Sequence, residues 1–305
     1  MNTDKPILVL MDEFLANQDI RENSRKKYRE NMHVFIGWIT RNADVSDLKK
    51  SDIINYKAWL VSTGRAPATI DNYLAPVRQF FSYLADCDIH KNVTIGVRSP
   101  RKSSGYSKDY LRPEQVRRLL LSINRYEPVG QRDYAIINLM IRTGMRCIEV
   151  ARANVKDLRK ENDQWILYIQ GKGRWSKDRA LGVTNKIVSP VAAYIEDNEL
   201  QEDSPLFINH AYVSNKTRIT SVTISKIVKR YLRSIGIDSK KLSAHSLRHT
   251  AAITALKSGA DILAVRSMLG HSKVETTMIY QRAIEEERGR EGTAIRLLDT
   301  AYEIG

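Results

Sequence analysis

Six side chains in this sequence have the chemical types needed for phosphoryl transfer on a phosphodiester. They are two arginines, two histidines, a lysine and a tyrosine: Arg146, Lys172, His245, Arg248, His271 and Tyr280. Guanidinium groups match phosphate oxygens and neutralise the charge that develops on them during attack. A tyrosine phenol can be the nucleophile, which divides one difficult step into two transesterifications. We therefore expect these six residues to form one active site.

Each residue can be given a role from its chemistry. The two arginines would clamp the non-bridging oxygens, and Tyr280 would attack the phosphorus. His245 would accept and return the tyrosine proton, and Lys172 would protonate the departing 5′ oxygen. His271 would hydrogen-bond the attacked phosphate. No cluster of carboxylates suited to two Mg²⁺ ions accompanies them, which disfavours a metal-dependent nuclease, and we expect no cofactor.

Residues 244–281 contain four of the six side chains. Ser243 is placed to cap a helix on which His245 and Arg248 are i, i+3 neighbours that share one face. Taken alone, the histidines of this stretch would fit core residues or metal ligands as well as catalysis. The arginines, the lysine and the tyrosine that accompany these histidines favour phosphate chemistry.

The rest of this stretch ends one helix and begins another. Asp261 would cap an apolar helix that ends at Gly270, and His271 follows that glycine immediately. Tyr280 lies nine residues later, on a predicted short helix. The tail over residues 292–303 has one apolar side, which predicts a small amphipathic helix.

Arg146 follows a nearly apolar helix that is predicted over residues 134–143 and ends at Gly144. Because the buried helix is fixed by packing, we expect the arginine to be held by the core. Glu149 lies three residues on and can orient its guanidinium group. A purely structural arginine–glutamate pair would have the same pattern. This motif therefore indicates catalysis only together with the other motifs.

Lys172 is placed in the turn of a predicted β-hairpin. Residues 164–169 alternate around apolar side chains, which is typical of a strand, and residues 178–183 return as a second strand. Glycines flank Lys172 in the turn between them. Lys177 in the same hairpin is the competing proton donor, and the sequence does not choose between the two lysines.

The chain carries a large excess of positive charge. Its 305 residues include 49 lysines and arginines against 35 aspartates and glutamates, a net charge of +14. The segment before Gly105 has 16 basic and 12 acidic residues, and the remainder has 33 and 23, so both parts are basic. Such an excess favours a polyanion as partner, most simply nucleic acid. We expect DNA contacts from Arg25, Lys26, Lys27, Arg101, Lys102, Arg174, Lys177, Arg179, Lys226 and Arg230.

Composition argues against several other classes of protein. A hydrophobic content of 42% is enough for packed cores. No apolar run is long enough to span a membrane, and the first residues lack the pattern of a secretory signal. Cys87 and Cys147 lie far apart and in no metal-binding spacing, which fits a reducing compartment. We expect a cytoplasmic protein with no membrane partner.

The patterns predict a mainly α fold with a small β-sheet, arranged in two domains. Residues 1–100 show four helical patterns and no convincing strand, so this domain should be all-helical, and Ser51 is placed to cap its third helix. Pro76 falls inside the fourth helix, predicted over residues 68–84, and should bend it or split it in two. Residues 101–109 are rich in serine and basic residues and predict a linker. Residues 110–305 would form a mixed α/β catalytic domain.

Together these motifs resemble the tyrosine recombinases, a family of phage and transposon integrases and Xer-type resolvases. Residues 143–149, TGMRCIE, resemble the first arginine box of the family. Residues 245–249, HSLRH, resemble its H-x-L-R-H box, and residues 269–280 contain its L-G-H-S, T-T and Y pattern. Residues 171–173, GKG, resemble its hairpin lysine. The helical N-terminal domain is similar to the core-binding (SAM-like) domain, so the resemblance covers most of the chain.

The resemblance implies a site-specific DNA recombinase that closes on duplex DNA as a C-shaped clamp. It implies a 3′-phosphotyrosyl intermediate, a Holliday junction and a homotetramer on two DNA sites, with a second recombinase or accessory protein left open. Neither ATP nor metal would be needed, because the covalent bond conserves the phosphodiester energy. The outcome would be integration or excision of a mobile element, or Xer-type resolution. No arm-binding pattern precedes the helical domain, which favours an Xer or small-transposon type.

Two other functions are compatible with parts of this pattern. A type IB topoisomerase shares the tyrosine chemistry but relaxes supercoils without exchanging strands. The compact H-x-L-R-H and L-G-H-S boxes favour a recombinase over it. A catalytically inactive DNA-binding regulator could keep the same fold. All six reactive positions are occupied, which argues against an inactive site.

Overall fold

The computed structural model describes residues 5–100, 109–171, 174–210, 216–239, 241–290 and 292–302. The chain divides into two compact units, Met1–Ser104 and Gly105–Gly305. The first unit is helical, and the second combines helices with one small antiparallel sheet. The predicted fold class, mainly α with a small sheet, is confirmed. Of the predicted linker over residues 101–109, all but the last residue lies outside the described residues.

The first unit is a packed set of helices with an aromatic core. Phe35 lies at its centre, with ring centroids 5.0 Å from Tyr56 and 6.2 Å from Phe81, both in edge-to-face geometry. These three rings come from three different helices, so their burial holds the unit together. The helices are α1 (Ile7–Ala16), α2 (Glu22–Asn42), α3 (Lys50–Ser62) and α4 (Pro67–Asp86).

Helix α4 runs through Pro76 without a break, so of the two predicted outcomes, a bend or a split into two helices, the split does not occur. Proline has no backbone N–H, which leaves the carbonyl of Asn72, four residues earlier, without its helical partner. The buried side chain of Asn31 fills this role, because its Nδ2 donates to the Asn72 carbonyl oxygen at 2.9 Å. A side chain of α2 therefore replaces the hydrogen bond that the proline removes.

The start of α3 also differs from the prediction. We predicted Ser51 as the N-cap, but the helix begins at Lys50 and its N-cap residue is Lys49. The carboxylate of Asp52 accepts a hydrogen bond from the Lys49 backbone N–H at 2.7 Å. This reciprocal bond satisfies a free helix-end donor, so the helix starts before the serine.

The second unit wraps helices around a three-stranded antiparallel sheet. Strand β2 is central, and β1 and β3 pair with its two edges. Trp165 lies opposite Val183 and Ile169 opposite Arg179, which confirms the predicted hairpin between β2 and β3. The strands are β1 (Leu158–Glu161), β2 (Gln164–Ile169) and β3 (Arg179–Val183).

The core of this unit forms around a buried helix that we predicted to begin at residue 134. It begins earlier, at Pro128, and packs against the helices Asn185–Asp197 and Ala244–Lys257. The helices are α5 (Pro113–Leu121), α6 (Pro128–Thr143), α7 (Cys147–Arg152), α8 (Asn185–Asp197), α9 (Ser221–Ser234), α10 (Ala244–Lys257), α11 (Ile262–Leu269), α12 (Glu275–Arg290) and α13 (Thr293–Ala301). Helix α12, which carries Tyr280, is 16 residues long and so longer than the short helix predicted there. None of the described helices is long and apolar enough to cross a membrane.

Candidate active site

Arg146 is positioned by a sharp turn between α6 and α7. Gly144 ends α6 in the left-handed conformation, with φ of 65°, which glycine adopts without strain. A Cβ at this position would also lie 2.5 Å from Leu269 Cδ2, so glycine is needed for space as well. Arg146 then caps α7, and its Nη1 donates to Glu149 Oε1 at 2.8 Å.

Glu149 anchors this arginine from a fully buried position. Its side chain has 0% exposure, and Oε2 accepts a hydrogen bond from the Arg146 backbone N–H at 2.9 Å. The carboxylate thus holds both the backbone and the guanidinium of Arg146. The Arg146 side chain keeps 29% of its surface exposed, which leaves it accessible to a phosphate.

Arg248 extends from α10 into the core next to this turn. Its Nη1 donates to the Gly144 carbonyl oxygen at 2.8 Å, and its Nη2 donates to the Leu269 carbonyl oxygen at 2.8 Å. Burial, followed by repulsion from Arg146, lowers the pKa of Arg248 to about 10. The group is therefore still a cation at neutral pH, in a site where its charge is poorly screened.

Tyr280 lies on α12 beside Arg248, with only 2% of its surface exposed. Burial raises the pKa of the phenol, while the charge of Arg248 and a hydrogen bond with it act in the opposite direction. The phenol is therefore neutral at pH 7 and needs a base to accept its proton when it attacks.

His249 is a residue of this site that the motif analysis did not assign. Its ring is buried, with a centroid 5.3 Å from the Tyr280 ring and 4.6 Å from the His245 ring. His245, predicted to exchange the tyrosine proton, is exposed. The i, i+4 spacing from His245 is the sequence signal that could have placed His249 here.

His271 follows Gly270, the left-handed residue that ends α11. Its Nδ1 lies 2.9 Å from Thr277 Oγ1, and its ring is nearly parallel to that of Tyr280 at 6.3 Å. Burial, and then the charges of Arg248 and Arg146, lower the pKa of His271 to about 4. The imidazole is therefore neutral at pH 7 and can donate one N–H to a phosphate oxygen.

The two candidate proton donors of the hairpin are Lys172 and Lys177. Lys172 lies outside the described residues. Lys177 forms an ion pair with Asp157, whose side chain is only 4% exposed. Asp157 also accepts a hydrogen bond from the Asn154 backbone N–H at 2.6 Å. Lys177 is thus engaged in holding the hairpin to the turn before β1.

Two clefts meet at Arg146. One has a volume of about 720 Å³ and includes Arg174, Arg266 and His271 in its walls. The other has a volume of about 750 Å³ and is lined by His245, Arg248, Lys226 and Lys229, among others. Arg146 lines both, so the surface around it forms a continuous basic region suited to a phosphate backbone.

The basic residues predicted to contact DNA fall into distinct groups. Lys226 lines the second cleft, Arg174 lines the first, and Lys26 is exposed on α2. Arg25 donates to the carbonyl oxygens of Leu15 and Gln18, and Arg230 pairs with buried Asp133. Lys27 pairs with Glu30 at 2.9 Å on the surface of α2.

Three further basic residues were predicted to contact DNA, namely Arg101, Lys102 and Arg179. Arg101 and Lys102 lie outside the described residues. Arg179 lies against Glu149 at 3.1 Å and is mostly buried. Arg266, which the sequence analysis did not select, lines the first cleft from α11.

The structure brings five of the six predicted reactive residues into one region, and the sixth, Lys172, is not described. The charges of Arg146 and Arg248 repel one another, and both charges act to lower the pKa of His271 and the pKa of the Tyr280 phenol. Arg146, Arg248 and His245 line one cleft. No group of three or more metal-ligand side chains is found in the described parts of the chain.

Comparison with known proteins places this geometry in a family. Residues 109–287 match the phage integrase family, and residues 7–91 match the phage integrase N-terminal SAM-like domain. The tyrosine recombinase XerD of Pseudomonas putida is 30% identical, over 89% of this chain and 91% of its own length. XerD of Yersinia pestis is 29% identical, over 93% of this chain and 94% of its own length.

Solved structures share the fold. XerH recombinase bound to palindromic difH substrate in a post-cleavage complex has a TM-score of 0.75 and 23% identity, covering 90% of this chain and 80% of XerH. The Tn1549 transposon integrase in complex with transposon right end DNA has a TM-score of 0.70 and 19% identity, covering 94% of this chain and 99% of the integrase chain. This chain therefore belongs to the phage integrase family, the tyrosine recombinases, and is a site-specific DNA recombinase.

Proposed function

We propose that the chain cuts each strand of its DNA site with Tyr280 and joins it to a strand of a second site. The observation that carries this proposal is the convergence of Arg146, Arg248 and His271 beside the Tyr280 phenol. Three donors for phosphate oxygens next to one nucleophile are the parts that metal-free phosphoryl transfer requires.

The chemistry follows from these positions. The Tyr280 oxygen attacks the scissile phosphorus, a bond forms between them, and the bond from phosphorus to the 5′ oxygen breaks. The two arginines stabilise the charge on the non-bridging oxygens, and neutral His271 adds one N–H. His245 takes up the phenol proton. In the second half, a 5′ hydroxyl of the partner strand displaces the tyrosine, so the phosphodiester is restored without ATP.

Lys172 is proposed as the acid that protonates the leaving 5′ oxygen. The alternative, Lys177, is paired with buried Asp157 and would have to leave a nearly buried carboxylate to reach DNA. This cost is the argument for Lys172, for which the flanking glycines predict a position in the turn of the hairpin.

The number of chains in the proposed assembly follows from the single nucleophile that each chain supplies. Exchange between two duplexes breaks four strands, and each chain supplies one Tyr280. A homotetramer on two double-stranded DNA sites is therefore the assembly that we propose: exchange of the first pair of strands forms a Holliday junction, and exchange of the second pair resolves it. Because the substrate is DNA, we place this activity in the cytoplasm, with the basic cleft around Arg146 as the DNA surface.

Xer-type resolution is the outcome that we favour, because the XerD relatives align along nearly the whole chain. A test begins with duplexes that the protein enriches from a random-sequence pool. The enriched site is then placed twice, in direct repeat, on a supercoiled plasmid. We expect two smaller circles to be released. Relaxation without recombinant circles would indicate a type IB topoisomerase activity, and tight binding without cleavage would indicate a regulator.

A further inference from the structure

Arg179 is the first residue of β3 and turns its side chain toward the active site. Only 16% of that side chain is exposed. Its Nη2 donates to Glu149 Oε2 at 3.1 Å, and its buried Nε has no hydrogen-bond partner among the described residues. The residue also lines the cleft that contains Arg146 and His271. A guanidinium this buried has little surface left for a DNA backbone.

Glu149 joins Arg179 to Arg146. One oxygen of this buried carboxylate accepts from Arg146 Nη1 at 2.8 Å, and the other accepts from the Arg146 backbone and from Arg179. Two guanidinium groups thus share one carboxylate. Loss of Arg179 would leave Oε2 of Glu149 held by the Arg146 backbone N–H alone, so the carboxylate could shift and change where the Arg146 guanidinium points.

Gly270 joins Arg179 to His271. A Cβ at Gly270 would overlap Arg179 Nη1 and lie 2.8 Å from its Cδ, so the arginine packs directly on the backbone of this glycine. His271 is the next residue. The Arg179 side chain therefore links β3 to the Arg146 box and to the turn that presents His271.

We infer that Arg179 is a positioning residue for strand cleavage, which holds Arg146 through Glu149 and His271 through Gly270. This inference rests on the proposed function. Arg179 is the first residue of β3, so it also fixes this strand against the two phosphate-binding boxes. Positioning groups of this kind contribute to rate and not to affinity, since reacting groups must be aligned within a fraction of an ångström.

The experiment compares Arg179→Gln and Arg179→Lys with wild type on a nicked form of the enriched DNA site. Single-turnover formation of the covalent adduct is measured at saturating protein, and DNA affinity is measured separately by fluorescence anisotropy. Arg159→Gln is the matched control, because Arg159 lies on β1 of the same sheet with an exposed side chain that donates to the Lys156 carbonyl oxygen.

We expect Arg179→Gln to slow adduct formation about 100-fold while the dissociation constant changes by less than about threefold. Arg179→Lys keeps the buried charge and should recover about tenfold of the lost rate. Combining Arg179→Gln with Glu149→Gln should slow the reaction less than the product of the two single effects, because both substitutions remove the same Arg179–Glu149 contact. The Arg159→Gln control should match wild type.

Several results would overturn the inference. One is a wild-type rate for Arg179→Gln, and another is a weakened affinity with an unchanged rate at saturation, which would make Arg179 a phosphate contact. If Arg179→Gln does not fold, the lysine variant decides, and a wild-type rate for it would refute the positioning role. Absence of adduct with wild-type protein would instead overturn the proposed function, and the inference with it.

Discussion

Arg248 donates a hydrogen bond from Nη1 to the carbonyl oxygen of Gly144 at 2.8 Å, and Gly144 lies two residues before Arg146. Its Nη2 makes a bond of the same length to Leu269, two residues before His271. One buried guanidinium therefore fixes both turns that present the other phosphate ligands. The sequence assigned Arg248 to the phosphate clamp, and the structure gives it this second, architectural role.

Arg248→Ala should accordingly lose stability as well as chemistry. Two buried carbonyl oxygens would lose their partner, at about 1–3 kcal/mol each, so we expect the free energy of unfolding to fall by about 3 kcal/mol. Arg146→Ala is the matched comparison, because its side chain is partly exposed and Glu149 keeps Arg179. The Arg146→Ala variant should lose about 1 kcal/mol or less of the free energy of unfolding. Urea denaturation measures both, and equal losses would contradict this role of Arg248.

The two hairpin lysines should respond differently to substitution. Lys172→Ala should slow cleavage about 100-fold and recover on a 5′-bridging phosphorothiolate, whose leaving group needs no proton. Lys177→Met removes the partner of buried Asp157, so it should lower stability by about 2 kcal/mol. Its cleavage should show no such recovery. Rescue of the Lys177 variant alone would assign the proton transfer to Lys177.

His271 should make stability depend on acid pH. Its pKa is lowered from 6.5 to about 4 in the folded chain, so the unfolded chain binds the proton first as the pH falls. Its contribution is constant above pH 6.5 and is lost progressively toward pH 4. His271→Gln stays neutral and should show a smaller drop in melting temperature than wild type between pH 7 and pH 4.5.

The control for this pH experiment is His33→Gln, at an exposed position on α2. It should keep the wild-type drop in melting temperature. The same drop for all three proteins would show that His271 does not titrate as its buried, arginine-rich surroundings require.

The bond from Asn31 to the Asn72 carbonyl predicts a compensating pair of substitutions. Asn31→Ala leaves this carbonyl unsatisfied and should cost about 1–3 kcal/mol. Pro76→Ala restores the helical N–H, so the double variant Asn31→Ala/Pro76→Ala should regain most of that loss. Hydrogen–deuterium exchange of α4 gives the local stability. Additive losses in the double variant would contradict the compensation.

Local pattern was enough to predict the elements that bury a continuous apolar stripe. Helix α11 is capped by Asp261 and ends at Gly270, as the sequence predicts. Strand β1 has the sequence LRKE, which has no alternation of apolar residues, and it becomes a strand only by pairing with β2. Helix α12 continues past Tyr280 because Ala283 and Ile284 are buried, which depends on what packs there and not on local sequence.

The site shows the same division between local motif and distant contact. The turn at Gly144 and the helix end at Gly270 are visible in the sequence, because each glycine follows an apolar helix. The partners of Arg179 are not, because Glu149 lies 30 residues away in the chain. A basic residue in a hairpin carries no local sign of burial, so it was expected to reach DNA. The contact of His249 with Tyr280 likewise depends on how α10 packs against α12.

The central claim is that Tyr280 forms the covalent bond to DNA. Wild-type protein is incubated with a nicked enriched site, denatured and digested, and mass spectrometry locates the nucleotide on the protein. We expect the 3′ phosphate on Tyr280, and no adduct with Tyr280→Phe at equal DNA occupancy. An adduct on another of the 14 tyrosines, or one that persists in Tyr280→Phe, would contradict the account.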